Sequence, residues 1–335
     1  MQTIKTALVV GARGGIGNET CRALLRHGWR VRGMARTLPS DDNSGVEWVR
    51  GDALVADDVL RAAAGADAIV HAVNPPGYRG WDRVVLPMLD NTIAAARKVG
   101  ARVVLPGTIY NYGPDAFPLL AEDSPQHPIT RKGELRVAME QRLEHASREG
   151  VPALILRCGD FLGPRAVNNW FTQGLVEPGK PVRRVRYPGP MSLGHAWAYL
   201  PDVAETFARL LDRAEGFAPF TRFHFPGYWL DGEAMVQVIR RATGNSEIVA
   251  TRFPWWLVML ASPFNETLRE LRKMRYLWQT PIRLDGRRLQ EALESLPCTP
   301  IEQAIRATLE GAGCLDGKPS AGARVQVTDG TSPQP

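Results

Sequence analysis

Cysteine is scarce in this 335-residue chain. Cys21, Cys158, Cys298 and Cys314 fit neither a metal-ligand spacing nor a disulfide-dense scaffold. No long apolar run is present either. The most apolar late stretch, Phe253 to Phe264, is too short to span a bilayer and is interrupted by Pro254 and Pro263. The opening Met1-Gln-Thr-Ile-Lys-Thr6 has no signal-peptide apolar core, so a cytoplasmic location and no membrane partner are expected. A basic tail is missing as well: the net charge of +6 comes from scattered arginines. That distribution favours anionic small ligands, and no nucleic-acid motif appears. No internal repeat or heptad is found. Past about Gly311 apolar residues become sparse, and 315–335 reads as a disordered tail. Elsewhere, 44% hydrophobic and 23% charged residues are ordinary for a globular enzyme.

What is present is organised around residues 4 to 17. The apolar Ala7 to Val10 reads as a buried parallel strand, and Asn18 to Arg26 as the helix after it, so Gly11, Gly14 and Gly17 fall on the turn between them. Gly11 permits the tight turn, Gly14 lets backbone approach a pyrophosphate, and Gly17 allows close helix packing. Arg13, Gly15 and Ile16 complete the loop, whose phosphate partner would rest on free amides at the helix N-terminus. The spacing Gly-x-x-Gly-x-x-Gly resembles the short-chain dehydrogenase/reductase superfamily, in its extended, epimerase/dehydratase-like branch. The resemblance spans residues 3 to about 310. It implies an α/β fold: a Rossmann-type, doubly wound parallel sheet with a smaller C-terminal substrate lobe. Residues 1–150 would form the dinucleotide-binding domain and 151–314 a lobe interwoven with it.

The second strand, Arg30 to Ala35, is followed by Arg36, where an NAD-preferring site usually carries an acid. With Arg13 nearby and no competing carboxylate, two guanidinium groups favour NADP over NAD. A third strand, Val46 to Val49, leads to Asp52 and Ala53, which the family places beside the adenine; Asp52 might otherwise cap the helix near Ala56. The fourth strand, Ala68 to His71, ends in Ala72-Val73-Asn74, resembling the segment under the ribose and nicotinamide half. His71 reads as a strand-end packing residue, and 75–81 as a loop at the ligand-binding edge.

After the fifth strand, Val103 to Leu105, Thr108 stands four residues before a Tyr-Gly pair. This resembles the family segment whose hydroxyl polarises a substrate oxygen. The family's Tyr-x-x-x-Lys is absent. On the helix from Arg131 to Ala146, Met139-Glu140 sets the register and puts Lys132 where the phenol should be and Arg136 where the lysine should be. Residues four apart share a helix face, so two cations replace a phenol and a cation. Three readings follow. Lys132 acts as proton donor and contacts cofactor, its pKa lowered by Arg136 and burial; or Tyr110 or Tyr112 supplies a phenol beside Thr108; or hydride chemistry is lost and the chain binds NADP as a sensor.

In the second lobe, a strand over Leu154 to Arg157 precedes Gly159-Asp160-Phe161 and Gly163-Pro164, matching the family segment that leads to the substrate side. Asn168, Asn169 and Trp170 offer amides and a flat indole for a polar organic ligand. Arg186, clustered with Arg183 and Arg184, is a candidate for a carboxylate or phosphate, or equally a charged strand edge. His195 and Tyr199 are candidates to face the pocket. Asp202 suits a structural place at a helix N-terminus, with a strand near Phe223 to Phe225 later on. Phe253-Pro-Trp-Trp opens an aromatic, substrate-covering or dimer-facing C-terminal section, in which Trp255 and Trp256 are more often core than ligand contacts. The preferred function is an NADP-dependent oxidoreductase acting on a small carbonyl compound, without metal, in which Lys132 is the leading proton donor, Thr108 polarises the oxygen and Arg136 tunes the charge. The alternatives are a sugar-nucleotide epimerase/dehydratase and a non-catalytic NADP sensor. The resemblance makes a homodimer an expectation too.

Overall fold

Thr6–Val10 (β1) is buried at every position, and Gly15–Arg26 (α1) begins directly after the glycine turn. The computed structural model describes residues 4–40, 42–75, 80–166 and 169–315. Asn168, most of the 75–81 loop and the tail from 316 onward therefore lie outside the described residues. The chain continues through Arg30–Ala35 (β2), Glu47–Arg50 (β3), Ala56–Ala63 (α2), Ala68–His71 (β4), Trp81–Val99 (α3) and Arg102–Thr108 (β5). Leu119–Leu120 (β6), Arg131–Arg148 (α4), Ala153–Cys158 (β7), Asp160–Leu162 (β8), Arg184–Tyr187 (β9) and His195–Tyr199 (β10) follow. Then come Leu200–Asp212 (α5), Phe220–His224 (β11), Tyr228–Leu230 (β12), Gly232–Thr243 (α6), Val249–Arg252 (β13) and Trp255–Ala261 (α7). The last elements are Glu266–Lys273 (α8), Arg283–Leu284 (β14), Arg287–Leu293 (α9) and Ile301–Gly311 (α10).

The central sheet has seven strands in the order β11-β7-β5-β4-β1-β2-β3, and every pairing in it is parallel. Both of its faces are buried, which is why β1, β4 and β7 are buried at every position and largely apolar rather than alternating. Helices α1 and α5 pack together, as do α2, α3 and α4, giving separate apolar cores that enclose the sheet. Strand order reverses between β1 and β4, and the crevice at such a reversal is where open α/β sheets take ligands.

The sheet does not end with the first half of the chain. β7 and β11 both come after residue 150 and pair into it, so the boundary drawn there cuts through one hydrogen-bonded layer. Strands β8, β10 and β12 form a second, small sheet, and β9 pairs β13 beside it. Around these lies a third core containing Trp170, Trp197, Tyr187 and Trp278. β5 runs further than its apolar residues indicate because Gly107 pairs with Arg157 and Thr108 with Cys158. A Cβ at Gly107 would come within 2.6 Å of the Arg157 side chain, so the glycine lets the strands stay together to that point.

Helix α4 is fixed at two places. At its start, the Thr130 hydroxyl oxygen accepts the Gly133 amide at 3.1 Å. Further on, Glu140 receives two hydrogen bonds from the fully buried Arg157 guanidinium on β7. Removing one member of a buried pair strands the other charge. Glu140→Ala is therefore expected to lower unfolding free energy by about 3–5 kcal/mol, whereas Glu140→Leu combined with Arg157→Met should lose much less. Equilibrium denaturation of the three proteins checks this; equal losses would contradict it.

Candidate active site

Two adjoining cavities open at the C-terminal edge of the sheet, sharing Gly11, Gly14, Val73 and Asn74 as walls. One, about 670 Å³, reaches past the end of β2 to Arg36, Thr37, Asp52 and Ala53. The other, about 260 Å³, is bounded by Ile16, Thr108, Tyr110, Arg136 and Asp160. Gly11 has φ +85°, and a Cβ there would lie 2.7 Å from the Val73 amide nitrogen. Only glycine fits this crossing of the β1 turn over the segment after β4. Gly14 stands at the N-cap of α1, which has no side-chain cap and no acid in its first turn. Its amides are thus left for an anion, and the dipole favours one. Ile16 and Gly15 line the second cavity. Gly17 touches neither; its missing Cβ leaves room for the Gly11 carbonyl, which would otherwise be 2.3 Å away. Gly15 likewise lets the Arg165 backbone of the second lobe approach.

At the β2 end, Arg13 donates to the Thr37 carbonyl at 3.0 Å and is exposed beside Arg36 in the same cavity. Asp52 is a cavity wall rather than a helix cap. Its carboxylate accepts the Leu54 amide at 3.0 Å, and α2 starts from Val55 with no side-chain cap. On the other side of the shared wall, Arg136 donates to the Asn74 side-chain oxygen at 3.4 Å, and its guanidinium lies 5.4 Å from the Trp81 ring. His71 is a packing residue. It is hydrogen-bonded to Thr92 at 2.8 Å, and burial, with Arg136 adding repulsion, pushes its pKa down to about 3.

The residues expected to perform chemistry separate. Thr108, Tyr110 and Arg136 meet at the smaller cavity. Tyr112 does not: its side chain is wholly buried, and its hydroxyl is held by Arg157 and His224 in the core. Lys132 is not a wall of either cavity. It is 3% exposed, close enough to α8 to feel Glu270 and Lys273. Burial and Arg136 lower its pKa, as expected, but the side chain does not reach the cavity that Arg136 borders. Trp170 packs in the third core between Phe253, Trp255 and Trp278. Asn169 does line the cavity, yet its amide is spent on Ala166 and Thr172. Arg186 is ion-paired with Glu177 at 2.6 Å, away from the cavity. Tyr199 is not a wall of it either, and Asp202 ties α5 to Thr299 through two hydrogen bonds. A polar pair emerges that spacing alone did not single out: Asp160 faces the cavity and accepts from His195 at 2.6 Å, with the imidazole stacked on Trp278. These partners are far apart in sequence, and only the pairing of β8 with β10 brings them together.

The NAD dependent epimerase/dehydratase family matches residues 7–221, more than half of the chain. The chain belongs to that family. UDP-glucose 4-epimerase from Brucella ovis in complex with NAD superposes with a TM-score of 0.72 at 16% identity, covering 92% of this chain and 98% of that one. UDP-N-acetylglucosamine 4-epimerase from Bacillus cereus gives 0.68 at 16% identity, with 93% and 100% covered. At such identities the likeness is one of fold. Among curated proteins, a 2-alkyl-3-oxoalkanoate reductase of Stenotrophomonas maltophilia is 35% identical over 98 residues, 28% of this chain and 30% of the relative. An aldehyde reductase of Sporidiobolus salmonicolor is 30% identical over 106 residues, 28% of this chain and 31% of the relative. These alignments span less than a third of either reductase. Family members are NAD(P)-dependent enzymes, and the glycine turn, the crevice and the uncapped helix fit such a dinucleotide. Among the described residues no helix is long and apolar enough to cross a membrane, and no cluster of metal-binding side chains occurs.

Lys132 generates a pH-dependent expectation. Burial, with Arg136 and Lys273 adding to it and Glu270 opposing, lowers its pKa from 10.5 to about 7. Between these values the unfolded chain holds a proton that the folded one lacks, so this group's penalty shrinks as pH rises from about 7 toward 10 and is full below about 7. Lys132→Met should therefore raise Tm relative to the parent most at pH 6–7 and least near pH 10, an advantage on the order of 2–4 kcal/mol at its largest. Thermal scans across that range test it; an advantage that grows with pH would contradict it.

Proposed function

We propose that this protein is an NADP-dependent reductase of a small, non-phosphorylated carbonyl compound. The observation that carries the reading is the smaller cavity itself, where Thr108 and Tyr110 gather beside Arg136 next to the glycine turn. Bound at the crevice, the nicotinamide dinucleotide supplies the hydride. Thr108 and Tyr110 present hydroxyl donors to the substrate oxygen, where negative charge develops in reduction. Tyr110 gives the proton, which makes the phenol of the preceding loop the replacement for the missing helix tyrosine. Arg136 and Asn74 hold the ribose side, and Lys132, one turn earlier on the helix, sets the local charge from behind.

The charge of the cavity supports a neutral substrate. Among its described walls Arg136 is the one cation, and Asp160 contributes an acid. A sugar nucleotide brings a diphosphate that needs cations beyond those serving the cofactor. Arg186, the candidate for that task, is paired with Glu177. The short alignments with an oxoalkanoate reductase and an aldehyde reductase favour the same choice. For the cofactor, Arg36 and Arg13 beside the larger cavity, with no acid directly following β2, support a 2′-phosphate.

The test is NADPH oxidation against aldehydes, ketones and β-keto acids, with parent, Tyr110→Phe and Lys132→Met proteins. Tyr110→Phe should lower kcat by about 100-fold or more and Lys132→Met by much less. The reverse order assigns the proton to Lys132, and NADPH binding without turnover of any compound returns the sensor reading. Arg36→Ala should weaken NADPH by about tenfold while leaving NADH within about twofold. Equal losses, measured by titration, would remove the NADP preference.

A further inference from the structure

Helix α7 is apolar around its whole circumference. Trp255, Val258 and Ser262 point inward, with the Trp255 indole donating to the Pro188 carbonyl. On the other side Trp256 and Leu260, one turn apart, are 63% and 70% exposed, Leu257 and Met259 widen the stripe, and Phe264 in the turn just beyond the helix is 92% exposed. A short helix that buries one apolar face and presents another to the outside is built to rest against something apolar.

The charges around this stripe say what. Between Val249 and Arg275 the chain carries Arg252, Arg269, Arg272, Lys273 and Arg275 against Glu266 and Glu270. Arg252, Arg269, Arg272 and Lys273 are exposed, and α7 packs directly on α8, which carries the last three. An apolar protrusion with an indole at its base and cations beside it matches an anionic bilayer surface: acyl chains receive Leu260 and Phe264, the interface suits the Trp256 ring, and acidic headgroups meet the arginines. A second copy of the chain is less well matched, because a twofold contact through α7 would bring two such basic clusters toward each other.

We propose that the α7–α8 surface docks this protein peripherally on membranes rich in anionic phospholipid. This is adsorption rather than spanning, so it is compatible with the absence of a bilayer-crossing helix among the described residues. It also does not depend on the catalytic reading. The docking element is continuous with the substrate lobe: Phe253 and Trp255 pack on Trp170, and the neighbouring Asn169 is a wall of the cavity. A lipid-seated α7 would place that wall at the membrane surface.

The experiment is vesicle sedimentation of the full chain. Vesicles of phosphatidylcholine alone are compared with vesicles containing about 30 mol% phosphatidylglycerol, at about 0.1 M and about 0.5 M salt. The parent should sediment with the anionic vesicles at low salt and lose most of that binding at high salt or without phosphatidylglycerol. Leu260→Asp/Phe264→Asp should bind about tenfold less, and Arg269→Gln/Lys273→Gln should lose the preference for anionic lipid. Circular dichroism and light scattering establish that each variant is folded and report its oligomeric state. Absence of parent binding to either vesicle overturns the proposal, as does undiminished binding by the folded Asp variant. A parent dimer that becomes monomeric in that variant, without vesicle binding, assigns the surface to a second copy and overturns it too.

Discussion

A guanidinium with no exposed surface determines where the site can be. Arg157 sits on β7, and its guanidinium is met by Glu140 on α4, the Tyr112 hydroxyl after β5, the His224 imidazole on β11 and the Glu122 carbonyl. Burial, with Arg157 adding repulsion, pushes the His224 pKa down to about 3, so the ring is neutral. Its Nδ1 donates to the Leu120 carbonyl, which leaves Nε2 as the acceptor that Arg157 requires. None of these groups can shift alone without leaving a buried charge or donor unmet, and that is expensive in a low dielectric. The network therefore holds one helix and three strand ends in a fixed relation. The helix and two of the strands bear on a cavity wall: Arg136 lies one turn before Glu140, Thr108 and Tyr110 follow Gly107, and Asp160 follows Arg157 by three residues.

What could be seen in the sequence depended on how local its cause was. The turn at Gly11 and Gly14 was legible because strand, turn and helix within a few residues impose glycine there whatever the rest of the chain does. The walls Ala72, Val73, Asn74, Asp52 and Ala53 were legible for the related reason that they are the immediate exits of parallel strands. Depth was not. Lys132 and Arg136 lie one turn apart on the same helix, but Arg136 borders the cavity while Lys132 is buried and borders neither cavity, and Glu270 and Lys273, more than a hundred positions later, act on its charge. Tyr110 and Tyr112 are two residues apart and look interchangeable in a loop, but Arg157 claims the second. Trp170 was lost to remote partners in the same way, the aromatic cluster with Phe253, Trp255 and Trp278, whereas Arg186 is taken by Glu177 only nine residues earlier.

The two lobes are one folding unit in the respect that matters for the site. β11 arrives after much of the second lobe has been traced, yet it supplies His224 to the Arg157 network and completes the central sheet. Asp202, at the start of α5, reaches Thr299 just before α10. The cavity is accordingly closed on one side by strand ends of the first half and on the other by Asp160, Phe161 and Asn169 of the second.

Lys132 is the residue whose placement runs most clearly against stability. It is buried, it stands in the first turn of α4 where the helix dipole disfavours a cation, and Arg136 repels it from the next turn. A group whose pKa is held down responds to charge arriving in its surroundings, and a dinucleotide carries negative charge. Such an anion favours the protonated lysine, and by reciprocity the protonated lysine favours the anion.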